Sequence, residues 1–126
     1  MKVIESEKQL ERSLKSIVEN TMNGFCLKLL SQHITGLPDR LCLLPKGKIF
    51  FVEVKTTGKK PRKIQSYIHE KLRSLGFRVY VLDSSQVLHT ILTDYGYEGD
   101  LNNDEFDYGH NVPAQDPTKR NQYEDD

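Results

Sequence analysis

Lys48-Ile49-Phe50-Phe51-Val52-Glu53-Val54-Lys55 is the stretch on which the reading of this 126-residue chain turns. Two β-branched and two aromatic residues stand in a row, then a glutamate, a valine and a lysine, which is the composition of a buried strand. Glu53 and Lys55 are two positions apart, so on a strand they project from one face. Charged side chains on a strand this apolar are costly unless they are paired or hold a ligand.

Working upstream, Gly36-Leu37-Pro38-Asp39-Arg40 is followed by the apolar run 41–44 and by Pro45-Lys46-Gly47, which is turn material. If Pro45-Lys46-Gly47 is a three-residue hairpin loop with Gly47 left-handed, Leu44 pairs with Lys48. Counting back then sets Asp39 opposite Glu53, on the same face, with Cβ atoms about 4.5–5.5 Å apart. A two-residue Lys46-Gly47 loop would instead place Asp39 opposite Val54, on the wrong face. Two facing carboxylates repel unless a cation lies between them, so the first register is the one expected. Asp39, Glu53 and a backbone carbonyl, for which Val54 is the natural candidate, would supply oxygen ligands to Mg²⁺. Such a cation acidifies a bound water and polarises a phosphate. Lys55 would orient the attacking hydroxide and contact the phosphate. The plain alternative is a surface hairpin with a Glu53–Lys55 ion pair. The apolar strand and the Pro-Asp dipeptide 14 residues upstream of Glu53 weigh against it.

Around this hairpin the chain alternates helix and strand patterns. Ser6 with Gln9 three residues on is a capping box, and Leu10, Leu14, Ile17 and Val18 follow at helical spacing. Residues 25–30 read as a strand and 40–44 as a second. Pro61 stands where a helix can begin, Ile64, Ile68, Leu72 and Leu75 recur at helical spacing, and Gly76 is a natural stop. Residues 77–82 read as a fourth strand, and Ser84 caps a helix carrying Val87, Leu88, Ile91 and Leu92. The order αβββαβα implies an α/β fold, a mixed sheet flanked by helices. After Thr93 the aliphatic pattern fails, so the expected division is a folded domain over 1–93 and a disordered acidic tail over 94–126.

The net charge of zero hides a split. Residues 1–93 hold 16 of the 18 Lys and Arg but 8 of the 18 Asp and Glu, a net +8, and the remaining 33 residues carry −8. A basic body points to a polyanionic partner. Lys46, Lys48, Lys59, Lys60, Arg62 and Lys63 are expected to gather around the third strand and the loop after Lys55 as phosphate contacts, with Lys28 on the first strand a further candidate. Cys26 and Cys42 lack zinc-ligand spacing and read as small buried hydrophobes. No apolar run is long enough for a membrane span, and the opening residues are not a signal peptide, so a soluble cytoplasmic protein with no membrane partner is expected.

Gly36-Leu37-Pro38-Asp39-Arg40, Phe51-Val52-Glu53-Val54-Lys55, Gln65, and Leu72 to Gly76 with Arg78-Val79-Tyr80-Val81 together resemble the VRR-NUC branch of the PD-(D/E)XK nucleases, above all its small stand-alone phage and bacterial members. The resemblance covers about residues 5–93. It implies a restriction-endonuclease-like core and a Mg²⁺- or Mn²⁺-dependent endonuclease acting on DNA, with no small-molecule cofactor. For the small members it implies a homodimer that cuts branched DNA such as Holliday junctions, in recombination or repair. A phage-encoded chain of this kind would work in the host cytoplasm. The resemblance also marks Gln65 as an active-site residue and calls for one metal-binding carboxylate from the first helix. Glu7 and Glu11, four apart on one helix face, both qualify.

Two other readings stand beside the enzyme. One is a DNA-binding module of the same fold that does not cut, and the presence of both acids and the lysine argues against it. The other is an interaction protein whose acidic tail is the working part. Metal-dependent cleavage separates the first from both.

Overall fold

The computed structural model describes residues 3–30 and 32–97. Its elements are α1 (Glu7–Ser16), a π-helical turn (Ile17–Thr21), β1 (Phe25–Lys28), β2 (Arg40–Leu44), β3 (Lys48–Val54), α2 (Lys63–Ser74), β4 (Arg78–Leu82) and α3 (Ser85–Asp94). The αβββαβα order expected from the sequence is the order found. The strands form one sheet in the order β1-β2-β3-β4. The first three are antiparallel and β3–β4 is parallel, with α2 as the crossover.

Local chemistry accounts for the element ends. Ser6 accepts from the Gln9 backbone N–H while the Gln9 side chain accepts from the Ser6 N–H, the capping box expected. Past α1 the chain widens into the π turn, and the Met22 N–H reaches back five residues to the Ile17 carbonyl. That turn keeps Ile17, Val18 and Met22 all buried. Nothing in the sequence signalled it. In the β2–β3 connection Leu44 pairs with Lys48, the register expected. Lys46 (φ 67°) and Gly47 (φ 75°) are both left-handed, where one such residue was foreseen.

The sheet separates two environments. Cys26, Cys42, Phe50, Val52, Val54 and Leu82 point to one face, where they join Leu10, Leu14, Leu88, Ile91 and Leu92 of α1 and α3 in the main core. Both cysteines are free and buried. The opposite face carries Phe51 and Glu53, and α2 lies on that side against β4. Glu53 therefore belongs to the α2 face, away from the main core.

The folded part runs past the boundary expected after Thr93. Tyr95 packs its ring on Phe50 at 5.1 Å, and the Tyr97 hydroxyl donates to the Met22 carbonyl at 3.1 Å. Aromatic rings here replace the aliphatic pattern whose absence suggested a tail. Residues 98–126, the rest of that expected tail, lie outside the described residues. Among the described residues no helix is long and apolar enough to cross a membrane.

Candidate active site

Three segments meet where β3 ends. The first is the loop into β2. Continuing the β2–β3 register by one residue puts Asp39 opposite Glu53. The Asp39 Oδ2 accepts from the Val54 N–H at 2.7 Å, and its own carbonyl accepts from the Leu29 N–H at 2.8 Å. Gly36 has φ 94°, and a Cβ there would stand 2.7 Å from the Ile64 carbonyl oxygen. A side chain at 36 would thus force this loop off the first turn of α2.

The second segment is β3 itself, where Glu53 is 1% exposed. Burial, then the charge of Asp39, pushes its carboxyl up from 4.5 to about 7, against the pull of Lys55. The Lys55 ammonium lies 3.6 Å from Glu53 Oε2.

The third segment is α2. The Gln65 side chain caps its own helix, its Oε1 accepting from the Arg62 N–H at 2.7 Å, and its Nε2 donates to Glu53 Oε2 at 2.8 Å. One turn later His69, also 1% exposed, sets its Nε2 3.6 Å from Glu53 Oε1. That is too long for a hydrogen bond. Burial, and then Arg73, lowers the pKa of His69, which disfavours its charged form beside Glu53. Glu53 Oε1 and His69 Nε2 are the buried side-chain polar atoms left without a partner among the described residues.

Sequence reasoning gave His69 no role. The available signal was its place four residues after Gln65, on the same helix face. The structure brings Asp39, Glu53, Lys55 and Gln65 together as expected. It does not bring the helix carboxylates to them. Glu7 is exposed on the first turn of α1. Glu11 Oε2 accepts from Arg40 Nε at 3.2 Å and Nη2 at 2.9 Å. Arg40 pairs with Val52, hence it points to the α1 side of the sheet. Among the described residues no three His, Cys, Asp or Glu side chains are grouped to hold a metal by themselves.

The expected basic cluster divides in two. Lys59, Lys60 and Arg62 are exposed on the loop from β3 to α2 and Lys63 on the first residue of α2, beside the site. Lys46 and Lys48 lie at the other end of β3, roughly 20 Å away at the rise of a strand. Lys28 is exposed at the end of β1 paired with Arg40, the same end as Asp39.

The donor set suits a hard divalent cation. Two facing carboxylates, one of them buried with an oxygen unpartnered and its charged form disfavoured, make a site that a cation would relieve. Asp39 keeps Oδ1 free of the bond to Val54, and Glu53 keeps Oε1.

No family model matches the chain. A curated protein named "Putative nuclease p44", from Acyrthosiphon pisum secondary endosymbiont phage 1, is 45% identical over 86 residues. That alignment covers 68% of this chain and 90% of the phage protein. A solved structure of a VRR_NUC domain superposes with a TM-score of 0.65 at 32% identity, covering 74% of this chain and all of that domain.

Proposed function

The chain belongs to the VRR-NUC family of nucleases, and from that premise we propose a Mg²⁺- or Mn²⁺-dependent endonuclease that cuts branched DNA, four-way junctions among them, as a homodimer. The observation that carries the metal-dependent reading is the Asp39–Glu53 pair with its buried, unpartnered Oε1. Asp39 and Glu53 hold the cation, with the Val54 carbonyl as the backbone ligand. When bound, the cation supplies an acidified water and neutralises charge on the scissile phosphate.

The chain's own residues do the rest. Gln65 fixes Glu53 Oε2 with an uncharged donor, which leaves the carboxylate its full charge for the cation. Lys55 reaches from the same strand face to the reacting phosphate and holds the attacking water in line. Lys59, Lys60, Arg62 and Lys63 bind flanking phosphates, and Lys28 approaches from the β1 side. Lys46 and Lys48 are too far away for the same phosphates and would meet DNA roughly 20 Å from the cut, the length of β3.

Support for two copies comes from the α2 face of the sheet. There Phe25, Leu43 and Ile49 form one cross-strand row, and Leu27, Leu41 and Phe51 the next. Phe25 is 56% exposed and Ile49 36%. α2 lies against β4, Phe51 packs edge-on against Phe77 at 5.7 Å, and Leu27, Leu41 and Leu43 are half-buried, so these rows are only partly covered. A second copy on this face would bury them and give the paired active sites that a symmetric double cut requires.

The test is incubation of the full chain with four-way junctions, flaps, nicked and plain duplex, in Mg²⁺, Mn²⁺ or chelator. Cleavage of branched substrates in either metal, lost in chelator and lowered by orders of magnitude in Asp39→Ala and Lys55→Ala, is the expected result. Binding without cleavage would select the silent DNA-binding module instead, and a monomer that still cuts junctions symmetrically would remove the dimer.

A further inference from the structure

The Lys55 side chain is loosely held. Its ammonium approaches Glu53 at 3.6 Å, longer than a hydrogen bond, and β3 has already ended at Val54. What places it is the main chain. The Lys55 N–H donates to the Leu82 carbonyl at 3.0 Å. Two residues later the chain is tied again, at Thr57. The Thr57 hydroxyl donates to the Asp83 carbonyl at 2.7 Å and accepts from the Glu5 N–H at 3.0 Å, and the Thr57 N–H donates to the Glu5 carbonyl at 3.1 Å. Glu5 is itself anchored, its carboxylate accepting from the Ser85 N–H at 2.8 Å and from the Ser85 hydroxyl. A carboxylate at the first turn of α3 is well placed on the helix dipole. Just past Thr57 the chain turns, the Lys59 N–H donating to the Thr56 carbonyl at 2.9 Å. Thr57 is buried at 9% exposure although it lies in a polar loop.

We infer that Thr57 is a positioning residue for the reaction: its hydroxyl joins the segment before α1 to the segment between β4 and α3, and so fixes the main chain from which Lys55 projects. Among the described residues the hydroxyl is the group that satisfies both the Glu5 N–H and the Asp83 carbonyl. Valine has the shape of threonine without that group and would leave both unsatisfied. Small displacements of a reacting group are costly, about a hundredfold for 1 Å. The inference rests on the nuclease reading for its catalytic half alone.

The experiment compares Thr57→Val, Thr57→Ser and Tyr97→Phe in the full chain. Tyr97→Phe loses a bond far from the site, at Met22, and controls for destabilisation as such. Thr57→Val is expected to lower kcat about tenfold or more, with KM for DNA and the Mn²⁺ dependence within about twofold of the parent. Thr57→Ser restores kcat to near the parental value, and Tyr97→Phe keeps it. Amide hydrogen exchange at Lys55 speeds up in Thr57→Val and not in Thr57→Ser. A folded Thr57→Val that cleaves at the parental rate overturns the inference, as does a Thr57→Ser as impaired as the valine. If the valine variant does not fold, Thr57→Cys decides, because a thiol bonds weakly: a several-fold loss in kcat supports the inference and a parental rate overturns it. A parent that cuts nothing in Mg²⁺ or Mn²⁺ sinks the nuclease reading instead. In that case unchanged Lys55 exchange in the folded Thr57 variant would still overturn the clamp, and faster exchange would uphold it.

Discussion

Glu53→Gln should make this protein more stable and inactive at once. Glu53 is fully buried, and its carboxyl is raised from 4.5 to about 7, first by burial and then by Asp39. That disfavours its charged form by about 3 kcal/mol. The sign follows from linkage. Below about pH 4.5 the group is protonated in folded and unfolded chains alike, and the folded state bears no cost. Between there and pH 7 the unfolded chain ionises while the folded one keeps its proton, so stability falls as pH rises. Above pH 7 the whole cost is present. Glutamine is shaped like the protonated acid. Its oxygen can accept from Gln65 in place of Oε2, and its amide can face His69 Nε2. In chelator the variant should gain little near pH 4.5 and up to about 3 kcal/mol at pH 8, a rise in Tm on the order of 10 °C for a domain of this size. Urea denaturation at the two pH values measures it. Adding Mg²⁺ or Mn²⁺ should then stabilise the parent and leave the variant unmoved, closing the gap. A variant no more stable than the parent at pH 8 in chelator would refute the claim that Glu53 is held at a cost to the metal-free fold.

Gln65→Ala removes the donor to Glu53 Oε2 and should weaken metal activation by about 10–100-fold, read as the Mn²⁺ concentration giving half-maximal cleavage; an unchanged metal dependence would leave Gln65 as a helix cap alone. Neither helix carboxylate reaches Asp39 or Glu53, Glu11 being tied to Arg40 on the α1 side of the sheet and Glu7 being exposed, so Glu11→Gln and Glu7→Gln should both cleave within a few-fold of the parent, and a severe loss in either would return α1 to the metal site. Truncation after Thr93 removes the rings that pack on Phe50 and cap Met22 and should cost at least about 2 kcal/mol, whereas truncation after Tyr97 should leave thermal stability unchanged. The second truncation also removes most of the acidic residues of the last 33, and if these compete with phosphates it should bind plain duplex more tightly at low salt, with the gain fading as salt rises. Identical affinities would leave that segment without a role in DNA selection.

How much of this was legible depended on whether neighbouring residues in sequence settled the matter. The hairpin register was legible because one turn fixed it: with Leu44 opposite Lys48, Asp39 had to fall opposite Glu53. The Ser6–Gln9 capping box is local in the same sense. His69 was not legible, since a lone histidine on a helix is ambiguous until the rotation of α2 over the sheet is known. Gln65 and His69 at positions i and i+4 were a usable hint only once Gln65 was assigned to the site. The split of the lysines was within reach, because a strand of seven residues separates Lys48 from Val54 by its length. Tyr95 and Tyr97 were misread because periodicity arguments count aliphatics, and two aromatic rings sealed the core without any period. The Glu11–Arg40 pair and the ties of Glu5 to Thr57 and to Ser85 join residues 29 to 80 positions apart, which no local pattern encodes.

The division of labour on Glu53 explains why an amide rather than a cation stands at position 65. Glu53 Oε2 meets Gln65 at 2.8 Å and Lys55 at 3.6 Å, while Oε1 meets nothing within hydrogen-bond reach. A lysine or arginine in place of Gln65 would pair with the buried carboxylate, draw its pKa down and satisfy the metal-free fold. It would also neutralise the charge that a divalent cation needs and set a positive group where the metal should sit. The amide orients one oxygen through a dipole and leaves the net charge of the Asp39–Glu53 pair in place. Lys55 stays at the longer distance, from which it can serve a phosphate instead of closing the ion pair. The raised carboxyl of Glu53 and its unpartnered oxygen thus have one physical cause, a buried anion whose neighbours orient it without cancelling it.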